Sequence, residues 1–335
     1  MLWVVILFLG LSLLLYCLLA GADFGAGVLE LFLGRENRHA QRAMIEKALG
    51  PVWEANHIWL ILIVVILFMG FPTVYSRVST NLHLPLTAML LGIIARGCSY
   101  TFKHYDAVKG RSQRAYTVFF VWSSLWTPFC LGVVTGALVP GGIDPSPSGY
   151  YQGYIAPWLR PFPMALGAFT VCLFAFLAAV YLVGESRDPS LRKVFTRRAY
   201  AANVAAVLSG AAVFACAAWD GIPLARMFLG SAAASACLVA ATLLLPALWS
   251  ALANGRGWIA RFLAASQVAL VLIGWFAIQY PVLVHMTEGR ELTFFNAHAP
   301  ESTLFQLGMA LLLGSAFILP SLFWLMRVFK VEARG

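Results

Sequence analysis

Residues Gly50-Pro51-Val52-Trp53-Glu54-Ala55-Asn56-His57-Ile58-Trp59 open one of the longest apolar runs in the chain. A carboxylate, an amide and an imidazole thus sit in the first turns of a segment otherwise built for lipid. An acid at the centre of a bilayer costs about 2.5–3.5 kcal/mol on insertion scales. Such a residue normally faces protein or a water path, and function is the default reading.

The rest of the chain has the same character. Of its 335 residues, 61% are hydrophobic and only 11% charged. A soluble domain carries about 25% charged residues. The composition therefore indicates an all-α polytopic membrane protein, a single integral membrane domain over 1–335. The net charge of +9 is explained by basic loops on one membrane face rather than by a nucleic-acid partner. The six cysteines lie in or beside apolar runs and form no C-x-x-C, which argues against a metal cluster or a disulfide framework. No basic region precedes the first apolar run, so it reads as a retained span rather than a cleaved signal.

A spanning helix needs about 20 apolar residues. Nine segments qualify: about 2–32, 52–74, 80–101, 116–139, 162–184, 199–219, 227–252, 258–284 and 304–327. Segments 34–47, 96–114 and 185–198, with Arg256, Arg261 and the tail, hold all but four of the 23 Lys and Arg residues. The four others are Arg77, Arg160, Arg226 and Arg290. This asymmetry places the N-terminus outside and the C-terminus in the cytoplasm. The outer loops 140–161 and 285–303 are irregular and aromatic. They read as interfacial anchors, with docking to a partner subunit as the functional alternative.

Three acids fall within or at the ends of spans: Asp23, Glu30 and Glu54. Glu54 and His57 are three residues apart and share a helix face. On a shared cytoplasmic hairpin, Asp23, Glu54 and His57 form a stepped polar path. Burial moves a carboxylic acid toward neutral pKa and His titrates near physiological pH, a combination suited to proton uptake. Static hydrogen bonding, with Arg96 as candidate counter-ion to a buried acid, explains the same residues, as does simple snorkelling of Arg96. Gly21, Gly25 and Gly27 flank Asp23 in a small-residue pattern that lets helices approach closely. The residues show no haem-ligand pair, iron–sulfur spacing or nucleotide loop. Tyr280-Pro281 marks a kink or the end of the eighth span.

At these residues the chain resembles subunit II of the cytochrome bd quinol oxidase family. Gly21-Ala22-Asp23-Phe24-Gly25 is similar to the family's G-F-D-x-G segment. Residues Gly50 to Leu60 resemble its G-P-x-W-[DE]-x-N-x-x-W-L motif. Phe71-Pro72 with Tyr75, Ala95-Arg96-Gly97 through Phe102, and Gly274-Trp275 through Pro281 extend the match.

The resemblance implies two four-helix bundles (about 1–140 and 160–330) with one peripheral helix, in a bacterial inner membrane. It implies a haem-bearing subunit I as partner, carrying haem b and haem d or haem b alone, with quinol and O2 as substrates of the complex. Neither a catalytic residue nor a metal is expected in this chain. Its implied part is assembly and cytoplasmic proton uptake through Asp23 and Glu54, with Asn56 and His57 as helpers. A structural quinone or lipid and a small single-span subunit are further expectations. Where many members read D-G-F-D, this chain has Ala20 at the first acid, so a relay through that acid differs here. Ala55 replaces a common glycine after the second-helix acid. Two other classes remain open: a haem-free membrane anchor of an iron–sulfur oxidoreductase, and a secondary transporter.

Overall fold

The computed structural model describes residues 1–33, 38–49, 53–105, 111–139, 143–144, 146–186, 188–287 and 291–332. The first helix runs unbroken over Leu2–Glu30. It comprises α1 (Leu2–Leu15), a π-helical turn (Tyr16–Ala20) and α2 (Gly21–Glu30). There follow α3 (Arg38–Leu49), α4 (Trp53–Gly70), α5 (Pro72–Asn81), α6 (His83–Tyr105) and α7 (Arg111–Ala137). After the short α8 (Tyr150–Tyr154) come α9 (Pro161–Glu185), α10 (Pro189–Trp219), α11 (Leu224–Gly230), α12 (Ala232–Ala253) and α13 (Gly257–Gln279). Strands β1 (Val282–Val284) and β2 (Leu292–Thr293) precede α14 (Glu301–Glu332).

Among the described residues, eight helices are long and apolar enough to cross a membrane. A ninth span arises if Asn56–Gly70 and Pro72–Asn81 count as one, but these two bend by 116°. A straight second span over 52–74 is therefore not what forms. Proline has no N–H to extend the ladder and its ring clashes with the preceding turn. The chain accordingly leaves the helix at Phe71 (φ −136°, ψ 62°) and restarts at Pro72. Three other expectations shift for local reasons. Asp188 accepts from the Ser190 N–H at 2.8 Å and Pro189 occupies the first turn, so α10 starts ten residues before the apolar run at 199. Arg192, Lys193, Arg197 and Arg198 ride on that helix rather than in a loop. Ser231 interrupts the seventh segment and caps α12 through the Ala234 N–H. The basic stretch 34–47 is largely taken up by the amphipathic α3.

Helix α9 is the hub. It packs against α2 and α7 on one side and α10 and α13 on the other, and its central residues Phe174 to Val180 are all buried. The two halves of the chain thus meet along a shared helix. Gly25 makes this contact close: a Cβ there would collide with the backbone carbonyl of Phe174. Neither backbone can yield, so Gly25→Ala should destabilise the chain by about 1–3 kcal/mol, the usual range for overpacking. A lowered thermal midpoint of the detergent-solubilised protein checks this, and an unchanged midpoint contradicts the close contact. A second layer joins α1 to α4 and α14.

The long loops at the end opposite α3 are less irregular than expected. β1 and β2 pair antiparallel, and Ile143 bridges to Met286. Phe294 from this cap packs edge-on against Phe71, with ring centroids 5.6 Å apart, where the second span breaks. Helix α13 ends at Gln279, with Tyr280 already extended, so Tyr280-Pro281 is a helix end.

Candidate functional site

The polar cluster is assembled on α2, α4, α6 and α7. The π-helical turn comes first in the chain. An extra residue in one turn leaves backbone carbonyls out of the regular ladder, and such turns frequently occur at functional sites. Here the Asn56 amide donates to the Leu19 carbonyl at 3.3 Å. This bond ties the start of α4 to the first helix one turn ahead of Asp23.

Asp23 is 3% exposed and Arg96 likewise 3%. The Arg96 Nη1 donates to Asp23 Oδ2 at 2.6 Å and Nη2 to Oδ1 at 2.8 Å. Nη2 also reaches the Asp23 carbonyl at 3.1 Å. Nε donates to Ser124 Oγ at 3.0 Å, and Ser124 in turn donates to the Phe120 carbonyl at 2.6 Å. The guanidinium also faces the rings of Phe24 (4.5 Å) and Phe120 (5.0 Å), a favourable placement for a desolvated cation. A bidentate, flanked pair of this kind meets the demand that a buried charge be paired and hydrogen-bonded. Arg96 points into the protein rather than snorkelling.

Glycines make the approach possible. A Cβ on Gly27 would collide with Ser124, and one on Gly92 with Thr127 Oγ1. Gly21 lies under the Phe174 ring. The small-residue pattern around Asp23 therefore has two faces, one for α9 and one for α7.

His57 packs edge-on against Phe24, with ring centroids 6.5 Å apart. Phe24 thus has the imidazole on one side and the Arg96 guanidinium on another. Glu54 belongs to the first turn of α4, two residues before Asn56. Its side chain, like residues 50–52 of the motif, lies outside the described residues.

Glu30, Ser124 and Phe120 had no role in the sequence reading. Glu30 is 3% exposed and pairs with Arg42 Nε, with Lys103 Nζ 3.9 Å away. The signal that could have found it is spacing. Asp23 and Glu30 are seven apart on the first helix, as are Arg96 and Lys103 on α6, and residues seven apart share a helix face.

Elsewhere, a cavity of about 340 Å³ opens between α9, α10, α12 and α13. Phe169, Phe176, Phe214 and Trp275 line it, with Asn203, Thr242 and Gln267 as polar residues. Gln267 is 7% exposed; its Nε2 donates to the Ala241 carbonyl at 3.0 Å, and its Oε1 has no protein partner. Among the described residues, no group of three or more His, Cys, Asp or Glu side chains is placed to hold a metal ion.

The model of the family described as cytochrome bd terminal oxidase subunit II matches residues 1–329. The chain belongs to that family. Curated relatives include cytochrome bd ubiquinol oxidase subunit 2 of Bacillus subtilis (strain 168), 30% identical over 175 residues. Those residues are 52% of this chain and 48% of the relative. Cytochrome bd-I ubiquinol oxidase subunit 2 of Escherichia coli (strain K12) is 27% identical over 187 residues, 53% of this chain and 48% of the relative. The chain spans about half the length of the curated relatives it matches. The bd oxidase structure from Geobacillus thermodenitrificans superposes with a TM-score of 0.76 at 20% identity, over 97% of this chain and 98% of that one. That likeness establishes a shared fold. With eight apolar helices among the described residues, this subunit II family member is a multi-pass membrane protein.

Proposed function

We propose that this chain is the haem-free subunit II of a bacterial inner-membrane quinol oxidase, in which it supports assembly and supplies a cytoplasmic proton-uptake path. The observation that carries the reading is the family match over residues 1–329. Two quinols reduce one dioxygen to two waters, and the partner subunit I holds haem b with haem d, or haem b alone. The haems supply the electron transfer and oxygen chemistry when bound; the residues of this chain handle protons and packing. Nine spans in two bundles, with the N-terminus outside, complete the reading. The basic residues of α3, the α6 end and the α10 start support that orientation. A small single-span subunit is compatible with it.

We assign the two motif acids different parts, and the Asp23–Arg96 contacts support the first assignment. Asp23 is held by both ends of a guanidinium, and breaking this pair would leave a buried charge uncompensated, at a cost of several kcal/mol. This favours a fixed pair that sets the local field and joins α2 to α6. Glu54, at the cytoplasmic start of α4, is then the acid that takes up protons. Asn56 anchors its helix to the π-helical turn, and His57 packs beside Phe24 as a helper. The α9–α13 cavity is within the size of small-molecule sites. Its apolar walls fit a quinone or a lipid tail, and Gln267 Oε1 would accept from a hydroxyl of the occupant.

Family membership leaves the iron–sulfur anchor and the transporter without a supporting observation. The optical spectrum of the complex purified through this chain tests the reading. Haem bands and quinol-dependent oxygen consumption should co-purify with it, and both should be absent from the chain isolated alone. An iron–sulfur partner in place of haem would overturn the assignment.

A further inference from the structure

Helix α3 lies across the ends of four other helices and is fastened to each. Arg42 pairs with Glu30 of α2. Glu46 pairs with Lys103 of α6 at 2.5 Å. Gln41 accepts from Arg198 of α10 at 2.7 Å, and Met44 takes a contact from Ser186 at the end of α9 at 3.3 Å. Its Ile45 is 1% exposed and joins the core. A short amphipathic connector normally owes its position to such packing, since its own helical propensity is weak at this length.

The attachment converges on Glu30. Its side chain is 2% exposed, against 26% for Arg42 and 13% for Lys103. A carboxylate this buried, between two cations, acts as an anchor, because removing one partner of a buried pair leaves the other charge uncompensated. Around it, Glu30, Glu46, Lys103, Tyr100, Phe120 and Ile45 enclose about 10 Å³, roughly the room one water needs. Only three residues separate the end of α3 at Leu49 from the start of α4 at Trp53, a tether of roughly 14 Å at most, so the position of α3 limits where α4 can begin.

We infer that Glu30 is a positioning residue for proton uptake: through Arg42 and Lys103 it holds α3 across the cytoplasmic ends of the helices, and α3 places the entrance at Glu54. The inference rests on the uptake role proposed above. Among the described residues, the charged and titratable groups facing Glu30 are Arg42 and Glu46 of α3 and Lys103 and Tyr100 of α6. Arg198 of α10 lies one residue along α3, at Gln41.

The test uses the intact complex with Glu30→Gln, Arg42→Gln and the double variant. Haem content, quinol KM, and maximal oxygen consumption across pH are measured. Each single variant should lower the maximal rate several-fold, most strongly at alkaline pH, where proton supply limits, with KM held within about twofold. The double variant should be no worse than the poorer single one, because both remove the same contact. If Glu30→Gln lowers haem content, Glu30→Asp and Arg42→Lys are read by the same criteria. A wild-type rate–pH profile at full haem content, or losses that multiply in the double variant, would overturn the inference. Glu54→Gln in parallel separates the two levels. If it too is wild-type, the uptake role itself falls. If it alone is slow, only the positioning role of Glu30 falls.

Discussion

Replacing Arg96 by Gln should destabilise the folded chain by about 3–5 kcal/mol, the cost of leaving a buried carboxylate without its partner. Asp23 is 3% exposed, and both its oxygens are taken by the guanidinium at 2.6 and 2.8 Å. Glutamine offers two donors where arginine offers five, and no charge. Asp23→Asn should cost less. Arg96 then keeps Ser124 and the Asp23 carbonyl, and its cation remains between Phe24 and Phe120. Thermal midpoints of the solubilised complex, with haem content as a check on assembly, give the ranking. An Arg96→Gln complex as stable as the wild type would show that the pair holds nothing together.

Glu54→Gln should produce the largest kinetic effect, about a 10²-fold fall in maximal turnover, the low end for loss of a proton-transferring group. Quinol is oxidised in the partner subunit under this reading, so quinol KM should stay within about twofold. That pattern marks loss of a step after binding rather than loss of substrate affinity. The deficit should deepen as pH rises and the supply of protons falls. Steady-state oxygen consumption across pH measures both. A matched fall in affinity and rate would instead point to disturbed packing against subunit I.

Much of this was legible in the sequence, for physical reasons that differ by residue. The all-α polytopic class and the approximate placement of the apolar helices followed from hydrocarbon thickness, which leaves a helix little choice of length. The bend at Phe71-Pro72 was present in the sequence as a proline but was read through, because the apolar run continues to Tyr75. The helical state of 189–198 was hidden because its cap, Asp188-Pro189, precedes charged residues that look like loop. Asp23 and Arg96 each stood out as a charge near lipid, yet two readings of Arg96 stayed open. Only packing shows that Gly27 and Gly92 let α7 approach and present Ser124. Glu30 sat at a helix end, where an acid is unremarkable in sequence. Its importance comes from α3 folding back over it. The cavity in the second half has no sequence signature, since apolar residues lining a void look the same as those packed against a neighbour.

The most direct measurement is proton uptake from the cytoplasmic side during a single turnover of the reduced, membrane-reconstituted complex with oxygen, comparing wild type with Glu54→Gln. Uptake from the cytoplasmic side in the wild type, slowed in the variant in step with oxygen reduction while haem content and quinol binding stay intact, is the expected result. Uptake at the wild-type rate in an assembled Glu54→Gln complex would contradict a proton path through this chain.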